Sequence, residues 1–186
     1  MKKRIAILGS TGTIGKTLLK IVEKDKKNFQ IILLTANKNY KLAINQAKKF
    51  NVKNLIITDF ESFIKSKNFY KGKKINIFKN FDDLKTILPK KIDYVMSSIS
   101  GIGGLLPTYK IIKHTKLIAI ANKESIICGW DLIHQEFKKN KTKFIPVDSE
   151  HFSIFNLLQN HEITEVDKIY ITASGGPFLD LPKKKI

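Results

Sequence analysis

Glycines recur at every third position in Gly9-Ser10-Thr11-Gly12-Thr13-Ile14-Gly15. Such a run permits a tight turn and lets backbone amides approach a pyrophosphate, whose charge is favoured by the amino end of a following helix. The spacing is G-x-x-G-x-x-G, not the commoner G-x-G-x-x-G, so a turn needed only for backbone geometry reads the same way. Where an NAD site places Asp or Glu to hold the ribose 2′-hydroxyl, this chain has Thr35-Ala36-Asn37-Lys38-Asn39. Lys38 and Asn39 suit a 2′-phosphate, which favours NADP over NAD; an ordinary polar loop is the alternative.

Further along, Asn122-Lys123-Glu124-Ser125 forms a polar cluster that serves either a ligand or helix capping with a surface ion pair. Asp148-Ser149-Glu150-His151 offers carboxylates two residues apart, which face the same way on an extended strand end. Hard oxygen donors of this kind suit Mg²⁺ or Mn²⁺, although the same residues also make ordinary helix-start chemistry. His151 shares a helical stripe with Ile154, Phe155 and Leu158 and is expected to pack or support its neighbours. Ser174-Gly175-Gly176 is a small-residue turn able to present amides and a hydroxyl to an anion, or a plain β-turn. His114, His134 and His161 have no partner at ligand or triad spacing and are expected on the surface or on a helix face, and Cys128 reads as a small core residue.

Short β-rich runs alternating with amphipathic stretches must position these groups, and that alternation predicts an α/β fold with a doubly wound parallel sheet. Strands are expected at Arg4 to Leu8, Phe29 to Ala36, Leu55 to Thr58, Ile75 to Phe78, Tyr94 to Ser97, Leu117 to Ala121 and Phe144 to Val147. Ile14, Leu18, Ile21 and Val22 mark a first helix, Ala43, Ala47 and Phe50 a second, and Asp82 to Leu88 a short one. Gly101 to Gly104 opens a further helix, while Asn68 to Lys74 and Lys138 to Lys143 read as basic loops. The glycine turn, the Asn-Lys-Glu triplet and the acidic pair each follow a strand, where open sheets bind ligands. After Val147 the pattern changes to a helix, a strand from Val166 to Thr172 and the Ser174 turn. A domain boundary is expected there, with residues 1–147 as one domain and 148–186 as the start of an α+β second one.

The bulk composition narrows the function classes. With 186 residues, 42% of them hydrophobic, the chain can bury a core. A formal charge of +18 first suggests nucleic acid, but Arg4 is the only arginine and the lysines are scattered. Lysine lacks the fork that reads guanine, so a solvated surface, with some steering of anions, is expected rather than nucleic-acid binding. No apolar run has membrane-spanning or signal-peptide character, and the single cysteine favours a reducing compartment, so a cytoplasmic location with no membrane partner is expected.

Taken in order, Gly9-Ser-Thr-Gly-Thr-Ile-Gly15, Ala121-Asn-Lys-Glu-Ser125, Pro146-Val-Asp-Ser-Glu-His151 and Ser174-Gly-Gly-Pro-Phe178 are similar to the motif set of the 1-deoxy-D-xylulose 5-phosphate reductoisomerase family. The resemblance runs from Ile5 to about Phe178 and implies a Rossmann-type NADPH domain followed by a catalytic, or connective, domain whose sheet mediates homodimer contacts. It implies that Thr11, Gly12, Thr13 and Ile14 line the NADPH phosphates, that Asn37, Lys38 and Asn39 face the 2′-phosphate end, and that Asn122 and Glu124 touch the cofactor. Lys123 would meet the substrate, Asp148 and Glu150 would ligate Mn²⁺ or Mg²⁺, and Ser149, Glu150 and Ser174 would hold the sugar phosphate. Lys123, Asp148 and Glu150 would thus be the catalytic residues. Asn37 stands where the family often has glycine, and Thr13 replaces a usual serine while keeping the hydroxyl. The implied reaction rearranges 1-deoxy-D-xylulose 5-phosphate to a branched aldehyde phosphate, which NADPH reduces to 2-C-methyl-D-erythritol 4-phosphate, in non-mevalonate isoprenoid synthesis. The family pattern continues past Ile186 with a mobile loop, a third metal carboxylate and a helical domain, so residues 1–186 alone are expected to bind NADPH with little turnover. Two other readings stay open: a semialdehyde-type NADP reductase, which needs a nucleophilic cysteine, and a dinucleotide-binding remnant without catalysis.

Overall fold

A computed structural model describes residues 1–170. Seven strands, β1 (Lys3–Leu8), β2 (Phe29–Ala36), β3 (Asn54–Ile57), β4 (Asn76–Phe78), β5 (Tyr94–Ser97), β6 (Leu117–Ile120) and β7 (Lys143–Pro146), form one parallel sheet. Their order is β4-β3-β2-β1-β5-β6-β7, so the winding reverses between β1 and β5. Six helices make the crossovers: α1 (Thr13–Lys24), α2 (Tyr40–Lys49), α3 (Phe60–Phe69), α4 (Leu84–Ile87), α5 (Leu105–Ile112) and α6 (Lys123–Asn140).

The central strands are apolar on successive residues because both faces are covered. In β1, Ile5 and Ile7 point to one face and pack with Leu19 and Val22 of α1 and Ala43, Ile44 and Ala47 of α2. Ala6 and Leu8 point to the other face, toward Ile111 and Ile112 of α5 and Ile133 and Phe137 of α6. A right-handed crossover changes face when the winding reverses, which accounts for α1 and α2 on one side and α5 and α6 on the other.

Packing divides the chain into Met1–Asp148 and a second unit that begins at Ser149. The described part of the second unit contains α7 (Ser149–Leu158) and a single 3₁₀ turn at Ile163–Glu165, closed by a reciprocal capping box between Glu162 and Glu165. Ile154, Phe155 and Leu158 are half-buried along α7, and His151 is exposed. Among the described residues no helix is long and apolar enough to cross a membrane.

Four expectations need correcting. Of the strand expected from Val166 to Thr172, residues 166–170 carry no strand pairing among the described residues, and residues 171 and 172 lie outside them. The supposed basic loops are partly regular: α3 runs through Phe69, and α6 runs to Asn140 with Lys138 and Lys139 in its last turn, where cations favour the helix dipole. Cys128 is exposed, since α6 buries Ser125, Gly129, Ile133 and Phe137 at helical spacing and turns the residues between them outward. His114 is buried, with Nδ1 3.2 Å from the Leu88 carbonyl oxygen.

Candidate cofactor site at the carboxyl rim of the sheet

The glycine turn is built between β1 and α1 and tied to three neighbouring elements. Gly9 has φ +81°, and a Cβ placed there would lie 2.8 Å from the Ser98 carbonyl oxygen, so only glycine fits. Gly15 lets α1 start against the turn: a Cβ there would come within 2.6 Å of the Ser10 Cα. From the end of β2, the Thr35 hydroxyl accepts the Gly9 N–H at 3.0 Å and the Thr35 carbonyl accepts the Ser10 N–H at 2.9 Å. The Ser10 hydroxyl donates to Gln46 Oε1 at 2.8 Å, and Gln46 Nε2 donates back to the Ser10 carbonyl at 3.0 Å. The hold of Thr35 and Gln46 on this turn escaped the sequence reading, because a threonine at a strand end and a glutamine on a helix carry no motif for it. Gly12 caps α1 with no side-chain hydrogen bond, and the first turn of α1 contains no acid. Its partial positive charge therefore meets no carboxylate from its own turn.

Strand register sets the rest of the rim. Leu8 pairs with Ser97, Ser97 with Ile120 and Ile120 with Pro146, so β1, β5, β6 and β7 end in one row. At ~4.8 Å per strand, the row spans ~14 Å. Beyond it come the glycine turn, the loop after Ser97, Lys123 and Asp148, on one side of the sheet. The turn borders a crevice of about 880 Å³ that also involves Asn37, Thr58, Asn80, Ile102 and Lys110. Its position, at the carboxyl ends of strands where the winding reverses, is where open α/β sheets take ligands. Lys110 and Asp82, which both line the crevice, are paired at 2.5 Å, and that hydrogen bond holds the Asp82 carboxyl below the usual carboxylate range.

The remaining expected residues fall into distinct settings. Thr11, Gly12 and Asn37 border the crevice, and Thr13 and Ile14 form the exposed first turn of α1. The Asn37 amide donates to the Thr58 hydroxyl at 2.8 Å, and Asn39 caps α2 by accepting the Leu42 N–H at 3.3 Å. Lys38 is exposed near Asp59, whose carboxyl is held below its usual range first by hydrogen bonds from Ser62 and then by the charges of Lys38 and Lys65. Asn122 is turned inward: it accepts the Ser125 N–H at 2.7 Å and donates to the carbonyl oxygens of Ile99 and Gly101, so it ties α6 to the loop after β5. Any ligand contact at Asn122 therefore uses its backbone. Lys123 and Glu124 are exposed on the first turn of α6. Asp148, half-buried, closes the first unit, and Ser149 and Glu150, both exposed, open the second. Ser174 lies outside the described residues.

A family model for 1-deoxy-D-xylulose 5-phosphate reductoisomerase matches residues 5–129, and one for the C-terminal domain of the same enzyme matches residues 144–186. The chain belongs to the 1-deoxy-D-xylulose 5-phosphate reductoisomerase family. The reductoisomerase of Pelagibacter ubique is 60% identical over 185 residues, covering 98% of this chain and 48% of that protein. That of Clostridium novyi is 41% identical over 179 residues, covering 95% of this chain and 46% of its own length. Among solved structures, the Zymomonas mobilis reductoisomerase in complex with NADPH superposes with a TM-score of 0.87 at 34% identity, over 97% of this chain and 48% of that one. A reductoisomerase in complex with NADPH, fosmidomycin and magnesium superposes with a TM-score of 0.82 at 28% identity, over 98% of this chain and 48% of that one. The chain thus spans about half the length of the curated reductoisomerases it matches. Membership also disposes of the semialdehyde-type reading.

Proposed function

We propose that residues 1–147 are the NADPH-binding domain of a 1-deoxy-D-xylulose 5-phosphate reductoisomerase, that residues 148–186 begin its catalytic domain, and that the enzyme is a cytoplasmic homodimer. The observation that supports the reading of the cofactor and substrate site is the row of strand ends at Leu8, Ser97, Ile120 and Pro146, beyond which follow the glycine turn, Lys123 and Asp148. NADPH fits the residues present: the amino end of α1 has neither a side-chain cap nor an acid, and the crevice beside it reaches Asn37. Thr11, Gly12, Thr13 and Ile14 would hold the phosphates, with Asn37, Lys38 and Asn39 at the 2′-phosphate end and Asn122 and Glu124 nearer the nicotinamide. Bound there, NADPH supplies the hydride, and the protein's part is to orient it.

Asp148 and Glu150 have the oxygen chemistry of Mg²⁺ or Mn²⁺ ligands, while among the described residues no three His, Cys, Asp or Glu side chains gather. A divalent ion held by these carboxylates supplies Lewis acidity toward neighbouring oxygens of the sugar phosphate. Lys123 would meet the substrate with its ammonium group, and Ser149, Glu150 and Ser174 would bind the sugar phosphate through hydroxyls and carboxylate. The reaction proposed is the rearrangement of 1-deoxy-D-xylulose 5-phosphate followed by reduction to 2-C-methyl-D-erythritol 4-phosphate. Titrating the chain with NADPH and NADH tests the cofactor: tighter NADPH binding is expected, and equal binding contradicts the reading of Lys38 and Asn39. Because the matched relatives are about twice as long, residues 1–186 should show little NADPH oxidation on adding 1-deoxy-D-xylulose 5-phosphate and Mn²⁺. Steady turnover would refute that part.

A further inference from the structure

We propose that Gln46 is a positioning residue for the phosphate-binding turn, aiming the Thr11 N–H into the crevice; this rests on reading that turn as the NADPH site. Ser10 is fully buried and Gln46 is 8% exposed, so both are removed from water. Every polar group of Ser10 is engaged. Its N–H donates to the Thr35 carbonyl, its hydroxyl donates to Gln46 Oε1, and its carbonyl accepts from Gln46 Nε2 at 3.0 Å. The Ser10 carbonyl and the Thr11 N–H belong to the same planar trans peptide and point in opposite directions. Drawing the carbonyl toward α2 therefore turns the Thr11 N–H the other way, toward the crevice that Thr11 borders.

The chemistry demands this side chain. One head group must accept from a hydroxyl and donate to a carbonyl, which a carboxamide does and neither carboxylate nor ammonium can. A helix that needed only packing would not bury an amide among Ala43, Ile44 and Ala47, since an amide costs stability unless it is fully bonded. The length of glutamine spans the gap between α2 and a turn that lies 36 residues earlier in the chain.

Two ligands separate positioning from general stability. NADPH carries the pyrophosphate that the turn would hold, whereas adenosine 2′-monophosphate carries only the other end. In Gln46→Met, close to isosteric and lacking both bonds, the NADPH Kd should rise about tenfold while the adenosine 2′-monophosphate Kd stays unchanged. Gln46→Glu keeps the acceptor and, when ionised, loses the donor; it should show the same split and carries the test if the methionine variant does not fold. Combining Ser10→Ala with Gln46→Met should weaken NADPH little beyond Gln46→Met alone, because both act on one peptide. Equal weakening of both ligands, or unchanged binding of both, overturns the positioning role while leaving the cofactor reading intact. Failure of the unsubstituted chain to bind NADPH overturns that reading and this inference together.

Discussion

Gly12 caps α1 with φ −77° and ψ 174°, a conformation open to any residue, and a Cβ built there would meet only the Gly9 carbonyl oxygen, at 3.4 Å. Gly12→Ala should therefore fold. Alanine is a poorer cap than glycine by up to ~1 kcal/mol, and the narrower unfolded ensemble offsets about 0.4–1 kcal/mol of that. The net change stays within about 1 kcal/mol, a shift in Tm of roughly 2–4 °C for a chain of this size. Binding is another matter, because the new methyl group stands at the helix end that a pyrophosphate must approach closely. Losing one charge-assisted hydrogen bond there costs about 1.5–3 kcal/mol, or roughly ten- to a hundredfold in NADPH affinity. A urea melt and a fluorescence titration on the same sample read both quantities. Full NADPH affinity in a folded Gly12→Ala protein would refute the reasoning, since the phosphates would then lie elsewhere. Loss of the fold would refute the claim that the position is sterically open.

Three further outcomes follow from named contacts. Gly15→Ala should lose more than about 3 kcal/mol of stability, because its Cβ would stand 2.5 Å from the backbone oxygen of Gly9, and a urea midpoint close to wild type would contradict this. Lys38→Gln should weaken NADPH about threefold to tenfold and leave NADH unchanged, as titration of both will show; equal loss would mean that Lys38 does not sense the 2′-phosphate. His114 gives a pH signature. Burial, the largest effect, lowers its pKa from an ordinary 6.5, and its Nε2 has no hydrogen-bond partner among the described residues. The unfolded chain thus binds the proton more readily, so the His114 contribution is intact above about pH 6.5 and is lost as pH falls through the lower folded value. Urea midpoints between pH 8 and 5 should fall less steeply in His114→Phe than in the unsubstituted protein, and parallel curves would rule out the assignment.

The strands and the glycine turn were legible because a parallel sheet covered on both faces writes continuous apolar runs between turn residues. What stayed hidden was written in no local pattern. In α3 the buried residues are Ser62 and Ser66, while Phe60, Ile64 and Phe69 are exposed, so apolar periodicity pointed nowhere. Its start shows only in Asp59, which accepts the Ser62 N–H at 2.9 Å. Cys128 misled for the opposite reason: in Ile126-Ile127-Cys128 all three residues are apolar, yet a helix can bury only part of such a run, and Ile127 is 71% exposed. On the candidate site, the chain order of motifs located the rim. The inward turn of Asn122 and the clamp of Gln46 on Ser10 depend on partners 21 to 36 residues away, which no spacing rule reads.

Mapping amide hydrogen exchange with and without NADPH tests the central assignment most directly. NADPH should slow exchange at residues 10–14, 36–39 and 98–104, around the glycine turn and the neighbouring loops of the carboxyl rim. It should leave the opposite rim, around Ile92, His114 and Thr142, as it was. Protection at that opposite rim, or none anywhere at saturating NADPH, would contradict the account.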